Sequence, residues 1–427
     1  MSLPDTSDLI VRNARLLDDT VVDLEIVDGC YRTIEPAAGR SASGTTAQLD
    51  AAGRLVTPSF VDGHLHLDKV YSLPRLSDDA LDAYTTGTMG SAMTAIEMAR
   101  VVKEEYDRAW ITPNVTRALR TSVQHGTLHF QAFVDVDTTG GLEGLHGVLD
   151  AQAAFSNVLD LQLVAFPQDG VVRDPGSAEL VEQALTIGAN VVGGIPWIEH
   201  SDRDAQRHID WACALAARHN RRVAMLVDDA GDPSLRTTEQ LAEALLTHDL
   251  VGRGVACHAR AVGTYERPSQ LRLAGLAKRA GLAFVSDPQT GPVHLPIGLF
   301  DELGVPVALG QDDIEDAYYP YGRHSMLEVA FLASHALGWL SSVKQRRLIE
   351  LVTTRAAEVL GIDNHRIAVA APANLVVHQH DRLVDVLRAH EAPRWVVSRG
   401  RVVAETTVAT ALWLDGPEAF SAVRQQE

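Results

Sequence analysis

The segment Val61-Asp62-Gly63-His64-Leu65-His66-Leu67-Asp68-Lys69 follows a short apolar run beginning at Leu55, and its reading decides the fold. Residues two apart on a strand point to the same side, so a strand here sets His64 and His66 on one face. Similar runs return at Thr127 to Val136, Leu161 to Phe166, Asn190 to Ile195, Arg222 to Val227, Gly254 to His258, Leu282 to Ser286 and Val305 to Leu309. Between them lie stretches such as Ala178 to Ile187 and Asp204 to His219, with apolar residues every three or four positions. That period marks helices with one buried face. Strands alternating with helices imply parallel pairing, and eight such units predict a closed (β/α)8 TIM-type barrel. An open doubly wound sheet would carry a glycine-rich phosphate turn after its first strand, and none is found there.

The two ends of the chain read differently. Leu9 to Val11 and Val21 to Val27 are strand-like, as are Asn374 to Val377 and Trp395 to Val397. A small β-sandwich built from both termini, 1–55 with 366–427, is expected beside a barrel of 56–365. The longest helical insertion, Leu76 to about Val123, follows strand one and is expected to cap the barrel mouth.

The length of 427 residues suits a barrel of about 250–300 residues with a second unit. An apolar fraction of 46% supplies a large core, and 22% charged residues is ordinary for a globular chain. The net charge of −19 is spread along the sequence and argues against a nucleic-acid partner, which needs a basic surface. No apolar run is long enough to span a membrane, and Met1 to Leu9 lacks the order of a signal peptide. Cys30, Cys213 and Cys257 show no CxxC spacing, which disfavours disulfides and a cysteine metal site. A cytoplasmic protein with a small-molecule substrate is expected, with self-association left open.

Barrel enzymes place their chemistry at the C-terminal ends of their strands. Strand one ends in His64 and His66, strand six in Cys257-His258, and strand eight in Gly310-Gln311-Asp312-Asp313. Two imidazoles on one face suit a divalent transition metal, and a further His and Asp at the same mouth are residues that complete such a site and activate water.

The order of HxH, a strand-six His and a strand-eight Asp resembles the amidohydrolase superfamily, and the intervening segments resemble cytosine deaminase. Leu163-Val164-Ala165-Phe166-Pro167-Gln168-Asp169-Gly170 is similar to that family's strand-three motif, and Gly188 to Pro196 to its strand four. Asp312-Asp313-Ile314-Glu315-Asp316-Ala317-Tyr318-Tyr319-Pro320-Tyr321-Gly322 is similar to its strand-eight loop. The resemblance implies hydrolysis of a C–N bond in a small planar nitrogen heterocycle, with deamination as the reaction class. It implies one divalent metal ion, zinc or iron, on His64, His66 and Asp312. Asp312 would take a proton from water, His258 would polarise the substrate or help place the water, and Gln168 and Asp313 would touch the ring. Hydrolysis of a cyclic amide, urea-like group or triazine substituent is the alternative within enzymes. A non-catalytic binding protein with a degenerate metal site is the alternative outside them.

The family's strand five carries a metal-binding His and, three residues later, a proton-shuttling Glu. Here Leu226 and Asp229 stand at those positions, in Val223-Ala224-Met225-Leu226-Val227-Asp228-Asp229. Leucine coordinates nothing; Asp229 can move protons from a shorter side chain. Gln311 and Phe133 likewise replace histidines common in relatives. A retained metal is expected, with His258 or Asp228 replacing the missing ligand or a water filling the gap; an empty site is the remaining alternative. Trp197 and Tyr318, with Tyr319, are expected to wall the substrate, and His200 and His294 to lie near the pocket. Asp68 and Lys69 are read as holding their loop, Arg323 and His324 as capping the helix after strand eight, and His378 and His380 as surface residues.

Overall fold

The computed structural model describes residues 8–37, 46–76 and 89–411. Strands β1 (Leu9–Arg15), β2 (Val21–Val27), β3 (Cys30–Pro36) and β4 (Ala47–Asp50) form one sheet in the order β3-β2-β1-β4. In β2, Val22, Leu24 and Ile26 are buried while Asp23 and Glu25 take the other face, as a period of two requires.

The expected first barrel strand divides at Ser59. β5 (Val56–Pro58) joins a terminal sheet, and the barrel strand is β6 (Phe60–His66). Pro58 has no N–H to continue a ladder, so the chain changes partners there. Ser59 N donates to Asn374 O at 3.0 Å, and Phe60 N to Gly126 O at 2.8 Å on the next barrel strand's side. The insertion after β6 contains α1 (Met89–Glu104) and α2 (Arg108–His125); 77–88 lie outside the described residues.

The remaining barrel strands are β7 (Thr127–Asp135), β8 (Asp160–Phe166), β9 (Val191–Gly194), β10 (Arg222–Val227), β11 (Gly254–His258), β12 (Ala283–Ser286) and β13 (Val307–Leu309). They pair in parallel, in chain order, with helices between them. The ring closes where Asp312 N donates to His64 O at 2.9 Å and His66 N donates to Asp312 O at 2.8 Å. Gly310 permits this approach, because a Cβ there would lie 2.8 Å from that of His64. Closure thus brings the His64–His66 end beside Asp312.

Strand alternation decides what faces the site. Val223, Met225 and Val227 of β10 pack outward into the core beneath the helices, whereas Ala224 and Leu226 join the barrel interior with Val255 and Cys257. The register pairs Leu226 with Cys257, so both point inward at one level.

Strands β14 (Leu375–Val377), β15 (Trp395–Ser398) and β16 (Arg401–Glu405) form a second sheet in the order β16-β15-β14-β5. Val11, Leu24 and Ile26 of the first sheet share one apolar cluster with Val56, Leu375 and Val397 of the second. The barrel with a small β-sandwich from both ends is therefore borne out. Among the described residues no helix is long and apolar enough to cross a membrane.

Two expectations fail at the margins. His378 is 1% exposed rather than on the surface, its Nε2 lying 3.1 Å from Thr57 Oγ1, because it extends β14 into the layer between sandwich and barrel. His380 remains partly exposed. The helix Met326–Ala336 is capped by the Ser325 side chain, which accepts from Glu328 N. His324 instead sits in left-handed backbone, with φ of 55°, and turns its ring inward to 3.2 Å from Asp62 Oδ2.

Candidate active site

The ends of β6, β11 and β13 place three imidazoles around one carboxylate oxygen. Asp312 Oδ1 lies 3.1 Å from His64 Nε2 and 3.9 Å from the Nε2 atoms of both His66 and His258. All four residues are buried. Ligand atoms held about 2.0–2.1 Å from a tetrahedral ion sit about 3.3 Å from each other, and the ligand atoms of His64, His258 and Asp312 lie within 4.8 Å of one another, as do those of His66, Asp312 and Asp313. Asp313 extends the cluster on the side of His66 and Asp312.

Local backbone supports the convergence. His258 and Asp312 adopt φ of 65° and 71°, a region non-glycine residues enter at a cost of about 1–3 kcal/mol. His258 ends β11 in this conformation, and Asp312 adopts it three residues beyond β13. His258 Nδ1 lies 2.9 Å from Asp287 Oδ1, which leaves Nε2 aimed at Asp312.

The fit to a cation is chemical as well as geometric. His64 Nε2 and Asp312 Oδ2 are buried without a hydrogen-bond partner. Such orphaned groups cost about 1–3 kcal/mol each, and a cation would satisfy both. Burial, with Lys69, His64 and His258 nearby, pushes His66 well below its ordinary pKa and keeps it a neutral donor of its lone pair. Burial also pushes His258 down, but Asp229, Asp287 and Asp312 outweigh it and lift its pKa to about 9. A cation at Asp312 would oppose that lift.

A cleft of about 420 Å3 opens above the cluster, with His66, His258 and Asp312 in its floor. Gln168, Asp229 and Asp313 supply its polar walls, and Ile96, Ile195, Trp197, Leu226 and Tyr318 its apolar ones. Gln168, Asp313, Trp197 and Tyr318, all expected to touch substrate, therefore reach the cleft. Burial, reinforced by Asp312 and Asp316, pushes Asp313 well above the usual carboxylate range. Leu226, at the position where the resemblance implies a metal-binding His, is 4% exposed and faces the cleft.

A family model for the amidohydrolase family matches residues 48–404. This chain belongs to the amidohydrolase family. A Pseudomonas N-isopropylammelide isopropyl amidohydrolase is 29% identical over 377 residues, covering 87% of this chain and 90% of the relative. A pterin deaminase of Rhizobium rhizogenes is 27% identical over 433 residues, covering 94% and 95%. The crystal structure of 5-methylcytosine deaminase from Klebsiella pneumoniae with 5-fluorocytosine superposes with a TM-score of 0.85 at 26% identity, covering 95% of this chain and 99% of that one. The likeness to cytosine deaminases read from the sequence is borne out. Amidohydrolases are generally metal-dependent, and the His and Asp cluster is a group able to hold such an ion.

Other parts of this amidohydrolase depart from expectation. Asp228 does not approach the cluster: its carboxylate accepts from Thr237 N at 2.7 Å and Thr238 N at 3.1 Å, at the start of the helix Thr237–Thr247. His200 is exposed, and His294 lies off the cleft with Nδ1 2.9 Å from Leu295 O. Tyr319 is half-buried against the Tyr321 ring rather than in the cleft wall. Phe133 stacks edge-on to His64, with centroids 4.4 Å apart, and Gln311 is buried with its N–H on Asp62.

Sequence reasoning missed Arg260. Its Nε donates to Asp229 Oδ1 at 2.7 Å, and its Nη2 donates to Asp287 Oδ2 at 2.5 Å and Thr290 Oγ1 at 2.8 Å. Against the upward pull of burial, Arg260 and His258 hold Asp287 well below the usual carboxylate range. Asp287 follows β12 directly, and a carboxylate at that strand end was the available signal. Lys103 of α1 was missed too. Its buried ammonium donates to Asp137 and Asp169, each at 2.7 Å, and pins α1 beside the mouth, as the expected cap requires.

Proposed function

We propose that this chain is a metal-dependent hydrolase of C–N bonds in small planar nitrogen heterocycles, with hydrolytic deamination as its reaction. The observation that carries this reading is the convergence of the His64, His66 and His258 Nε2 atoms on Asp312 Oδ1, in the floor of a cleft walled by Trp197 and Tyr318. His64, His66, Asp312 and His258 would hold one divalent ion, zinc or iron. His258 takes the place left by Leu226. When bound, such an ion lowers the pKa of a water molecule toward neutrality and polarises the substrate.

The chain's own residues do the rest. Asp312 Oδ2 accepts no hydrogen bond, with Arg260 Nη2 3.8 Å away, and would accept a proton from the attacking water. Asp229 faces the cleft across from it and delivers a proton to the departing nitrogen. Arg260 fixes the Asp229 carboxylate, which offsets part of its shorter reach. Gln168 and Asp313 contact the ring edge, and Trp197 and Tyr318 cover its faces. Two of the three relatives described are deaminases, one of pterin and one of 5-methylcytosine, both planar nitrogen rings. The third, an N-isopropylammelide amidohydrolase, favours loss of a substituted amine as the second reading.

The test is elemental analysis of the purified protein together with amine release from a panel of amino- and alkylamino-substituted pyrimidines, pterins and triazines. About one metal per chain with turnover of any member is expected. Metal-free protein without turnover would leave a binding protein as the better account.

A further inference from the structure

Behind the cleft, a buried ion pair fixes the polarity of one wall. Lys69 Nζ donates to both oxygens of Asp135 at 2.9 Å and to Gln168 Oε1 at 3.1 Å. Lys69 and Gln168 are each 5% exposed and Asp135 is 1% exposed. Burial alone would discharge the lysine. Asp135 and Asp68 outweigh it and hold Lys69 well above its ordinary pKa, so its three protons are present.

An ammonium has no acceptor, so the Gln168 amide can meet it only through oxygen. Flipping the amide would set an NH2 group against a buried cation and lose a charge-assisted hydrogen bond. The orientation of Gln168 is therefore dictated by Lys69. Lys69 lines a small rear cavity and not the cleft, whereas Gln168 lines both and forms the partition. Its Nε2 donates to nothing among the described residues and is not among the sealed, unpartnered atoms. The cleft thus meets an N–H donor on this wall.

We propose that Lys69 sets ring-edge selectivity: by holding Gln168 Oε1 it makes Gln168 a donor, so the cleft prefers heterocycles that present a carbonyl oxygen or unprotonated ring nitrogen toward β7 and β8. Rings presenting an amino group or ring N–H at that edge meet donor against donor and are rejected. Lys69 acts through Gln168 and is a positioning residue. The inference rests on the reading that the cleft takes a planar heterocycle, but not on that ring being hydrolysed.

A matched pair of probes tests it. 4-Amino-2-oxopyrimidine and 2,4-diaminopyrimidine differ at position 2, where one carries an oxygen beside a protonated N1 and the other an amino group beside an unprotonated N1. Their dissociation constants are measured by calorimetry on the full-length protein and on two variants, with ammonia release followed in the same samples. The native protein should bind the oxo ring at least about tenfold more tightly, since a site built to hydrogen-bond a group rejects its mismatched analogue. Lys69→Met frees the amide to flip, and the ratio should fall below about threefold through gain by the diamino ring. Gln168→Leu leaves the Lys69–Asp135 pair intact and should collapse the ratio through loss by the oxo ring; it carries the test alone if Lys69→Met does not fold. Equal binding by the native protein, binding of neither ring, or an unchanged ratio in the variants overturns the proposal. Preference without ammonia release sinks the hydrolase reading and leaves the selectivity standing; ammonia release without preference does the reverse.

Discussion

Arg260 Nε donates to Asp229 Oδ1 across 2.7 Å, tying the carboxylate after strand five to the segment after strand six. The same guanidinium holds Asp287, which in turn orients His258. One cation therefore positions both a cleft wall and a member of the imidazole cluster. Arg260→Met would remove the cation shared by the buried Asp287 and the partly buried Asp229, leaving Asp287 with His258 and Thr290. Removing one side of a buried ion pair costs about 3–5 kcal/mol. Urea unfolding of Arg260→Met should show a loss of at least about 3 kcal/mol, and Arg260→Lys should recover less than half, because an ammonium cannot fork between two carboxylates. Native stability in Arg260→Met would mean that the pairs are balanced by their own desolvation.

His64 lies deepest in the cluster, 3.1 Å from Asp312 Oδ1 and beneath the cleft rather than in its lining. Its substitution should remove the ion without altering the walls that meet substrate. His64→Ala should retain less than about a tenth of the native metal content by elemental analysis, consistent with the steep cost of a lost ligand. Hydrolysis should be abolished with it. Full metal content in this variant would exclude His64 as a ligand.

Two buried histidines away from the cleft make stability acid-sensitive. Burial pushes both His129 and His378 down to about 3, aided by His365 and Arg399 for the first and His380 for the second. The unfolded chain protonates them near pH 6.5, while the fold keeps them neutral. Their contribution is complete above about pH 6.5 and is lost as pH falls toward 3, at about 1.4 kcal/mol per pH unit for each histidine. Between pH 7 and pH 5 the loss is about 2 kcal/mol per group. In His378→Leu the difference in urea stability between these two pH values should shrink by about 2 kcal/mol. An identical pH dependence would show that His378 titrates normally in the fold.

The barrel was legible because its strands are buried on both faces and read as apolar runs, and because runs and helical periods alternate. His64, His66 and Asp312 were legible for the same reason: they end those runs. The errors lie where periodicity stops. Pro58 and Ser59 split a continuous apolar run between two sheets, which a pattern of apolar residues cannot reveal. Arg260 follows His258 and Ala259, whose φ values of 65° and 47° return the chain to the barrel mouth, and no sequence period encodes that turn. Asp228 and Asp229 are adjacent carboxylates with opposite fates. The first accepts from Thr237 N and Thr238 N at the start of the helix Thr237–Thr247, and the second meets Arg260, with a left-handed φ of 48° at Asp228 between them. His200 was misplaced because its loop turns outward after Trp197 and Ile198, which are buried.

Leu226 offers the most direct test of the site. The resemblance to cytosine deaminases implies a metal-binding His at its position, and here the side chain points into the barrel, in register with Cys257 and lining the cleft with His66 and Asp312. An imidazole built there would face the cluster. Leu226→His should tighten metal binding by about tenfold or more, the scale on which ligand environment moves affinity. The opposing cost is physical: Leu226 packs in the apolar interior with Ala224, Val255 and Cys257, and an imidazole left unliganded there would cost about 1–3 kcal/mol. Metal affinity and thermal midpoint must therefore be read together. A raised affinity, with the midpoint restored on adding metal, places position 226 in the coordination shell. A lowered midpoint with no gain in affinity removes it. The double change Leu226→His with Asp229→Glu rebuilds the strand-five pair of the resembling family and should gain deamination of cytosine or a close analogue. In that variant the longer carboxylate must leave or bend the 2.7 Å contact with Arg260 to reach the substrate. If the single variant gains metal and the double variant gains no turnover, the Arg260 clamp, rather than the missing ligand, is what separates this chain from a cytosine deaminase.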